Sequence, residues 1–251
     1  METNILEKLA PLKRRAWKPV VEEGTGSMSV SKFAGQPLLV GDESHPVCPN
    51  CERPLQLFLQ LNLDDLPAEI KDEYGEGIVQ LFYCTSEEPL CEVDCQAFFP
   101  FAASVLARLI KPENINLNGF DRPLELATPS NDSQMSAESI FPPKRIVGWE
   151  ALDDYPNSEE AGTLGIEFSD DEIDEYYETD HPLVGDKLAG YSMWVQGIEY
   201  PNCPVCGELM RLLFQIDSED NLPYMFGDVG CAHLTQCATH KEQLAFAWAC
   251  S

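Results

Sequence analysis

Two stretches of this chain alternate apolar and polar residues with the period of a β-strand. Leu55, Leu57, Leu59, Leu61 and Leu63 form one series, and Met210, Leu212, Phe214 and Ile216 form another in the same phase. A period of two predicts half-buried strands whose apolar faces line a core. A second strand is predicted from Ile78 to Cys84 and its counterpart from Cys231 to Cys237. The segment from about Gln96 to Leu109 reads as a buried helix; Pro100 and Arg108 within it argue against a membrane span. Ser169-Asp170-Asp171-Glu172 has the form of a helix N-cap with Glu at the third position, predicting a short acidic helix to about Glu178.

These strands recur at a nearly fixed offset. Lys32-Phe33-Ala34-Gly35 matches Lys187-Leu188-Ala189-Gly190, and each glycine is followed by a Cys-Pro-x-Cys, at Cys48 and Cys51 and then at Cys203 and Cys206. Gln60 and Gln215 continue the match, as do Leu66-Pro67 with Leu222-Pro223, and Gly77, Leu81 and Cys84 with Gly230, Leu234 and Cys237. Such a run of matches points to an internal duplication. The expected architecture is α+β and mainly antiparallel, a single globular body built from two related β units. The segments are 1–30, a basic arm or helix; 31–120, the first unit; 121–181, an acidic connection that opens with a loop over Thr128 to Ser139; and 182–251, the second unit.

Charge narrows the function. The chain of 251 residues has 43 acidic and 16 basic residues, a net charge of −27. Residues 121–181 hold 17 acidic and 3 basic residues, about half of the excess. Duplex binding draws its affinity from Lys and Arg on phosphate, so nucleic acid is disfavoured. An anionic membrane surface is disfavoured for the same reason. A basic protein partner fits, with Asp170, Asp171, Glu172, Asp174 and Glu175 as candidate contacts. A calcium loop at this segment fails, since Glu175 stands where glycine is needed and His181 where the closing Glu belongs. The cluster Lys13, Arg14, Arg15 and Lys18 reads as a solvated arm, or as one folded back onto the acidic segment. The N-terminus lacks a signal-peptide pattern, so the cytoplasm is expected.

In a reducing compartment ten cysteines are thiols or metal ligands rather than disulfides. Tetrahedral Zn²⁺ takes two ligands from a Cys-x2-Cys turn and two from elsewhere in the chain. The second unit offers Cys203, Cys206, Cys237 and His240, with Cys250 as a substitute; the first offers Cys48, Cys51 and Cys84, with Cys91 or Cys95 as the fourth. One or two structural zinc ions are therefore expected. Buried free thiols and a redox centre are the alternatives; the redox reading wants the motif at a helix N-terminus, whereas strand patterns follow here. Catalytic zinc keeps an open position, which four protein ligands would close. No nucleophile–histidine pair is visible among four histidines, and His233 reads as an ordinary sheet residue. Trp149, Trp194 and Trp248 read as core or half-buried, and the Gly185–Tyr191 turn lacks phosphate-loop spacing. A non-catalytic, zinc-stabilised protein-binding module is the leading expectation, with a metal-dependent hydrolase or thiol oxidoreductase as the alternative.

The stretches GDKLAGYSMWVQG, LLFQIDSEDNLPYMFGDVGC and HLTQC resemble the C-terminal half of the YwqG-like family, a bacterial family without a settled biochemical function. The likeness covers much of 31–251 and implies a single antiparallel α+β body with pseudo-twofold symmetry, and an immunity-like role toward a basic toxin. The Cys-Pro-x-Cys pairs depart from the simplest members of that family. In the first unit, SKFAGQP, CPNCERPLQLFLQLNL and IVQLFYC are similar to the programmed-cell-death-2 family, which implies a chaperone-like role toward a basic ribosomal protein.

Overall fold

A computed structural model describes residues 5–115 and 140–251. The expected loop over Thr128 to Ser139 lies outside the described residues. Ten strands form one antiparallel sheet: β1 (Arg14–Glu23), β2 (Lys32–Phe33), β3 (Gln56–Asn62), β4 (Ile78–Tyr83), β5 (Val105–Ile110), β6 (Lys144–Asp154), β7 (Lys187–Ala189), β8 (Arg211–Asp217), β9 (Cys231–Gln236) and β10 (Leu244–Ala249). Their order is β10-β9-β8-β7-β1-β6-β2-β3-β4-β5. The end strands β5 and β10 approach each other, so the sheet is a nearly closed barrel. At that seam the Trp248 amide donates to the Phe98 carbonyl and its indole N–H donates to the Tyr83 hydroxyl. Among the described residues four α-helices flank the sheet: α1 (Ile5–Leu9), α2 (Cys91–Asp94), α3 (Ser158–Thr163) and α4 (Asp170–Tyr177). No helix among the described residues is long and apolar enough to cross a membrane.

Both sides of the sheet contribute to one interior. Phe33 meets Phe214, Phe58 meets Phe226, and Tyr83 meets Phe246, each at a ring-centroid distance near 6 Å (5.8, 6.0 and 5.8 Å). These contacts fill the barrel with aromatic side chains, so the exterior is where binding chemistry must be sought.

The predicted strands β3, β4, β8 and β9 are present, but β3 is not half-buried: from Gln56 to Leu61 every residue is buried. A bulge between Leu57 and Leu59 splits the leucine series. Leu55 and Leu57 join an outer cluster with Cys48, Cys84 and Cys91, whereas Leu59, Leu61 and Leu63 face the barrel core. β8 carries a bulge at the corresponding place, between Leu212 and Phe214. An extra residue on one strand reverses the inside–outside phase beyond it.

The helix expected from Gln96 to Leu109 is not formed. Gln96 (φ 52°) and Phe101 (φ 64°) adopt left-handed backbone, Pro100 cannot donate, and residues from Val105 onward pair with β4. Arg108 reaches Gln80 and Glu43 on the outer face, while Val105, Ala107 and Leu109 pack on the core. That alternation is a strand's. The N-terminal segment is not a free arm either: β1 is a central strand between β6 and β7. Its cations do fold back on acidic residues, Lys13 and Arg15 onto Asp153 and Lys8 onto Glu172.

Corresponding positions in the two halves share their pairing. Lys32 opposes Gln60 as Lys187 opposes Gln215, and Phe33 opposes Leu59 as Leu188 opposes Phe214. Gln60 accepts from the Leu38 amide and donates to the carbonyls of Met28 and Val30; Gln215 accepts from the Met193 amide and donates to Leu183 and Gly185. Each buried glutamine thereby holds down the loop that covers the outer face of its half.

The two buried lysines differ. Lys187 is fully buried and its ammonium donates to Asp154 Oδ2 at 2.9 Å. Asp154, also fully buried, accepts as well from the amides of Tyr155, Leu183 and Tyr191. Burial would raise the Asp154 pKa, but His181, Lys187 and these amides together bring it below the ordinary carboxylate range. Lys32 is 2% exposed and donates to no acceptor among the described residues; burial lowers its pKa to about 8. Its ammonium therefore opposes folding, and this cost accumulates as pH falls from the unfolded value of about 10.4 through about 8. Lys187→Met strands a buried carboxylate and is expected to cost roughly 3–5 kcal/mol. Lys32→Met is expected to raise the urea midpoint at pH 7, with the gain shrinking toward pH 10. Equilibrium unfolding of both variants at the two pH values checks this pair; a destabilised Lys32→Met protein would contradict it.

Candidate metal centres

Each Cys-Pro-x-Cys lies in a tight turn just before a strand. In the first half the Cys48 amide donates to the Arg53 carbonyl, the Glu52 amide to Cys48, and the Leu55 amide to Pro46, all at 2.8–2.9 Å. In the second half the Cys203 amide donates to Glu208, the Gly207 amide to Cys203, and the Met210 amide to Pro201, each at 2.8 Å. The turn needs a left-handed residue after its second cysteine: Glu52 (φ 60°) in one and Gly207 (φ 76°) in the other.

The remaining ligands come from just beyond the adjoining strand. β3 and β4 end their ladder at Gln56 and Tyr83, and β8 and β9 at Arg211 and Gln236. Cys84 and Cys237 follow immediately, beside the turns. Two groups result: Cys48, Cys51, Cys84 and Cys91; and Cys203, Cys206, Cys237 and His240. Within each, the ligand atoms all lie within 4.8 Å of one another, close enough to hold a metal ion. Cys51 and Cys84 Sγ are 3.6 Å apart, Cys48 and Cys91 Sγ 3.9 Å, and Cys206 and Cys237 Sγ 3.7 Å. His240 Nδ1 is 3.8 Å from both Cys203 and Cys237 Sγ. A tetrahedron with metal–sulfur bonds of about 2.3 Å has edges of about 3.8 Å. A disulfide would need about 2.05 Å. The spacing is that of ligands around an ion.

The electrostatics agree. Burial pushes the Cys84 thiol well up, and the neighbouring Cys48 and Cys51 raise it further. Adjacent thiolates repel, so a cation is what would let all four ionise. Burial and the Cys51 and Cys48 thiols raise Cys91, against the Asn50 amide that lowers it. Burial also works against Cys237 and Cys51, but N–H donors outweigh it: the amides of His240 and Thr239 bring Cys237 down to about 6, and the Arg53 amide lowers Cys51.

Of the alternatives left open by the sequence, Cys91 joins the first group and Cys95 does not. Cys91 opens α2 and is fully buried against the cluster, while Cys95 caps its far end. His240, not Cys250, joins the second group; Cys250 packs against the barrel core near Gly227. Cys231 is buried on β9 and His233 is a buried sheet residue beside Trp194. Sequence reasoning passed over Asn50, whose side-chain amide donates to Cys91 Sγ at 3.3 Å. Its position inside the Cys-Pro-x-Cys turn was the available signal.

The acidic helix α4 forms with the expected capping box between Ser169 and Glu172. Two of its five candidate contacts are occupied internally: Glu172 pairs with Lys8 at 2.7 Å, and Glu175 accepts from the Ile5 amide at 3.0 Å. Asp170, Asp171 and Asp174 remain exposed.

Comparison with known proteins places this arrangement among chains without an assigned activity. The chain is 36% identical over 56 residues to "Uncharacterized protein YpfL" from Salmonella typhimurium, a match spanning 22% of this chain and only 12% of that protein's length. The family model that matches is described as a domain of unknown function, so the likeness to the YwqG-like family stays a resemblance. The match runs from residue 31 to 247, and the chain belongs to the family described as Domain of unknown function (DUF1963).

Proposed function

We propose that this chain is a non-catalytic, zinc-stabilised protein that binds a basic protein partner, and that its two halves are copies of one unit. The observation that carries the zinc reading is the convergence of two four-ligand groups, each with its ligand atoms within 4.8 Å of one another. Both sets contain only thiol and imidazole donors, which suit zinc, and four protein ligands leave no position for substrate or activated water. Each group lies at the end of a strand pair opposite its connecting loop, where a metal ion would staple the hairpin. The matched registers, bulges and glutamine contacts support the copies. The acidic excess supports a basic partner, reached by electrostatic steering, in a reducing compartment such as the cytoplasm that keeps the thiols available.

A thiol oxidoreductase is the second reading. Cys206 is exposed and the Cys237 thiol is lowered to about 6. Against it, both motifs precede strands rather than opening helices.

Purified protein is expected to carry two zinc ions per chain and to lose stability on chelation. Cys48→Ser and Cys203→Ser should each lose one ion and lower the melting temperature; Cys95→Ser and Cys250→Ser should keep both ions. Elemental analysis with thiol titration checks this. Metal-free protein with reactive thiols would favour the redox reading. Immobilised chain is expected to capture a basic protein at low salt and release it as salt rises, with weaker capture by the Asp170→Asn, Asp171→Asn, Asp174→Asn variant. No basic protein retained at low salt would remove the partner from the reading.

A further inference from the structure

Apart from the metal groups, two clefts among the described residues differ in character. One, of about 500 Å³, is lined by Arg14, Arg15 and Arg211 together with acidic and aromatic residues. There Arg211 pairs with Glu73, and Arg15 with Asp153. The other, of about 460 Å³, has no lysine or arginine in its lining. It opens between the start of α3, the end of α4, the Asp180–Val184 loop and the loop after β7.

Two features of this second cleft select for positive charge. Glu159 and Asp180 line it, and no ion pair among the described residues uses either. The rings of Tyr176, Tyr177 and Trp194 line it as well. Tyr177 is 72% exposed, an aromatic face held in water at the rim with only Tyr176 as a ring neighbour. Aromatic faces attract ammonium and guanidinium groups within about 6 Å of the ring centre.

His181, in the cleft wall, sets its Nδ1 3.7 Å from Asp154 Oδ1 in the interior behind it. The Asp154 carboxylate behind it is already committed to Lys187. The volume suits a single extended side chain or small amine, in the range of ordinary ligand sites.

We propose that the cleft bounded by Glu159, Tyr177, Asp180 and Trp194 binds an organic cation, a guanidinium or alkylammonium group. This deepens the reading of an acidic binder by naming the group recognised, and rests on that reading only for the source of the cation. An arginine or lysine of a basic partner and a free amine metabolite present the same chemistry.

The test uses the full chain and isothermal titration with N-acetyl-arginine amide, with an arginine-rich nonapeptide, and with N-acetyl-citrulline amide as the neutral control. N-acetyl-arginine amide or the peptide is expected to bind saturably and N-acetyl-citrulline amide not to bind. Tyr177→Ala and the double variant Glu159→Gln, Asp180→Asn change exposed side chains, so melting temperatures should stay at the parental value. Each is expected to weaken cation binding about threefold to tenfold. Peptide binding alone identifies a basic chain as the source; equal affinity for both probes identifies a small amine. Absence of saturable binding by either probe would overturn the proposal. So would N-acetyl-citrulline amide binding as well as N-acetyl-arginine amide, or affinity unchanged in both variants. Cation binding that survives without salt-sensitive protein capture would uphold this site while removing the protein partner; capture without cation binding would do the reverse.

Discussion

The buried Asp154–Lys187 pair determines how the second half of the sheet is attached to the first. β7 is only three residues long, yet it is the link between β1 and β8. Its lysine points away from the barrel core into a covered layer, where a lone ammonium would be costly. Asp154, the last residue of β6, meets that charge and also collects the amides of Leu183 and Tyr191, which flank β7. One carboxylate thus ties the end of β6, the strand that crosses to β8, and the loop on either side. Gly190 (φ 78°) is required by this packing, because any Cβ there would collide with Asp154 and Ala16. In the first half Lys32 sits in the matching register without a carboxylate among the described residues. The two halves share a backbone plan while their buried charge differs.

The same plan explains where the cysteines belong. β3–β4 and β8–β9 are antiparallel pairs whose chain connection lies at one end. At the other end the strands would fray, since nothing covalent holds them together. A ligand set drawn from the turn before one strand and the residue after the next closes that end. The bulges at Leu57/Leu59 and Leu212/Phe214 fit this arrangement, with Leu57 of β3 and Met210 just before β8 in the cysteine clusters and Leu59, Leu61, Phe214 and Ile216 in the barrel interior.

What could be read in the sequence follows from this geometry. Strands β3, β4, β8 and β9 were legible because their apolar residues recur with matched spacing, and α4 was legible because Ser169 and Glu172 form a local capping box. β5 was misread because both of its faces pack, so Leu106 and Leu109 complete a helix-like pattern around Arg108. β1 and β6 were hidden for the opposite reason. RRAWKPVVEE and KRIVGWEALDD are rich in charge, and Pro19 breaks a strand pattern. β1 tolerates Pro19 because β7 pairs only with Ala16 and Trp17, leaving that stretch without a ladder on its second side. Their pairing is long-range and set by tertiary context rather than by a local signal. The choice of Cys91 over Cys95 likewise depends on where α2 begins, which composition does not reveal.

The acidic excess now divides into charges with different roles. Asp153, Glu172 and Glu43 neutralise Lys13 and Arg15, Lys8, and Arg108 respectively, and Asp154 is sealed inside. Those groups hold the fold together and offer little to a partner. Glu159 and Asp180, beside exposed Tyr177, carry charge that no ion pair among the described residues uses. The cysteine groups lie at the ends of the β3–β4 and β8–β9 ladders, whereas this cleft is built from α3, α4 and the loops around β7. The proposed stapling and the proposed recognition therefore draw on different residues. A net charge of −27 would steer any cation toward the molecule, and a few carboxylates set against aromatic faces would give that attraction a position.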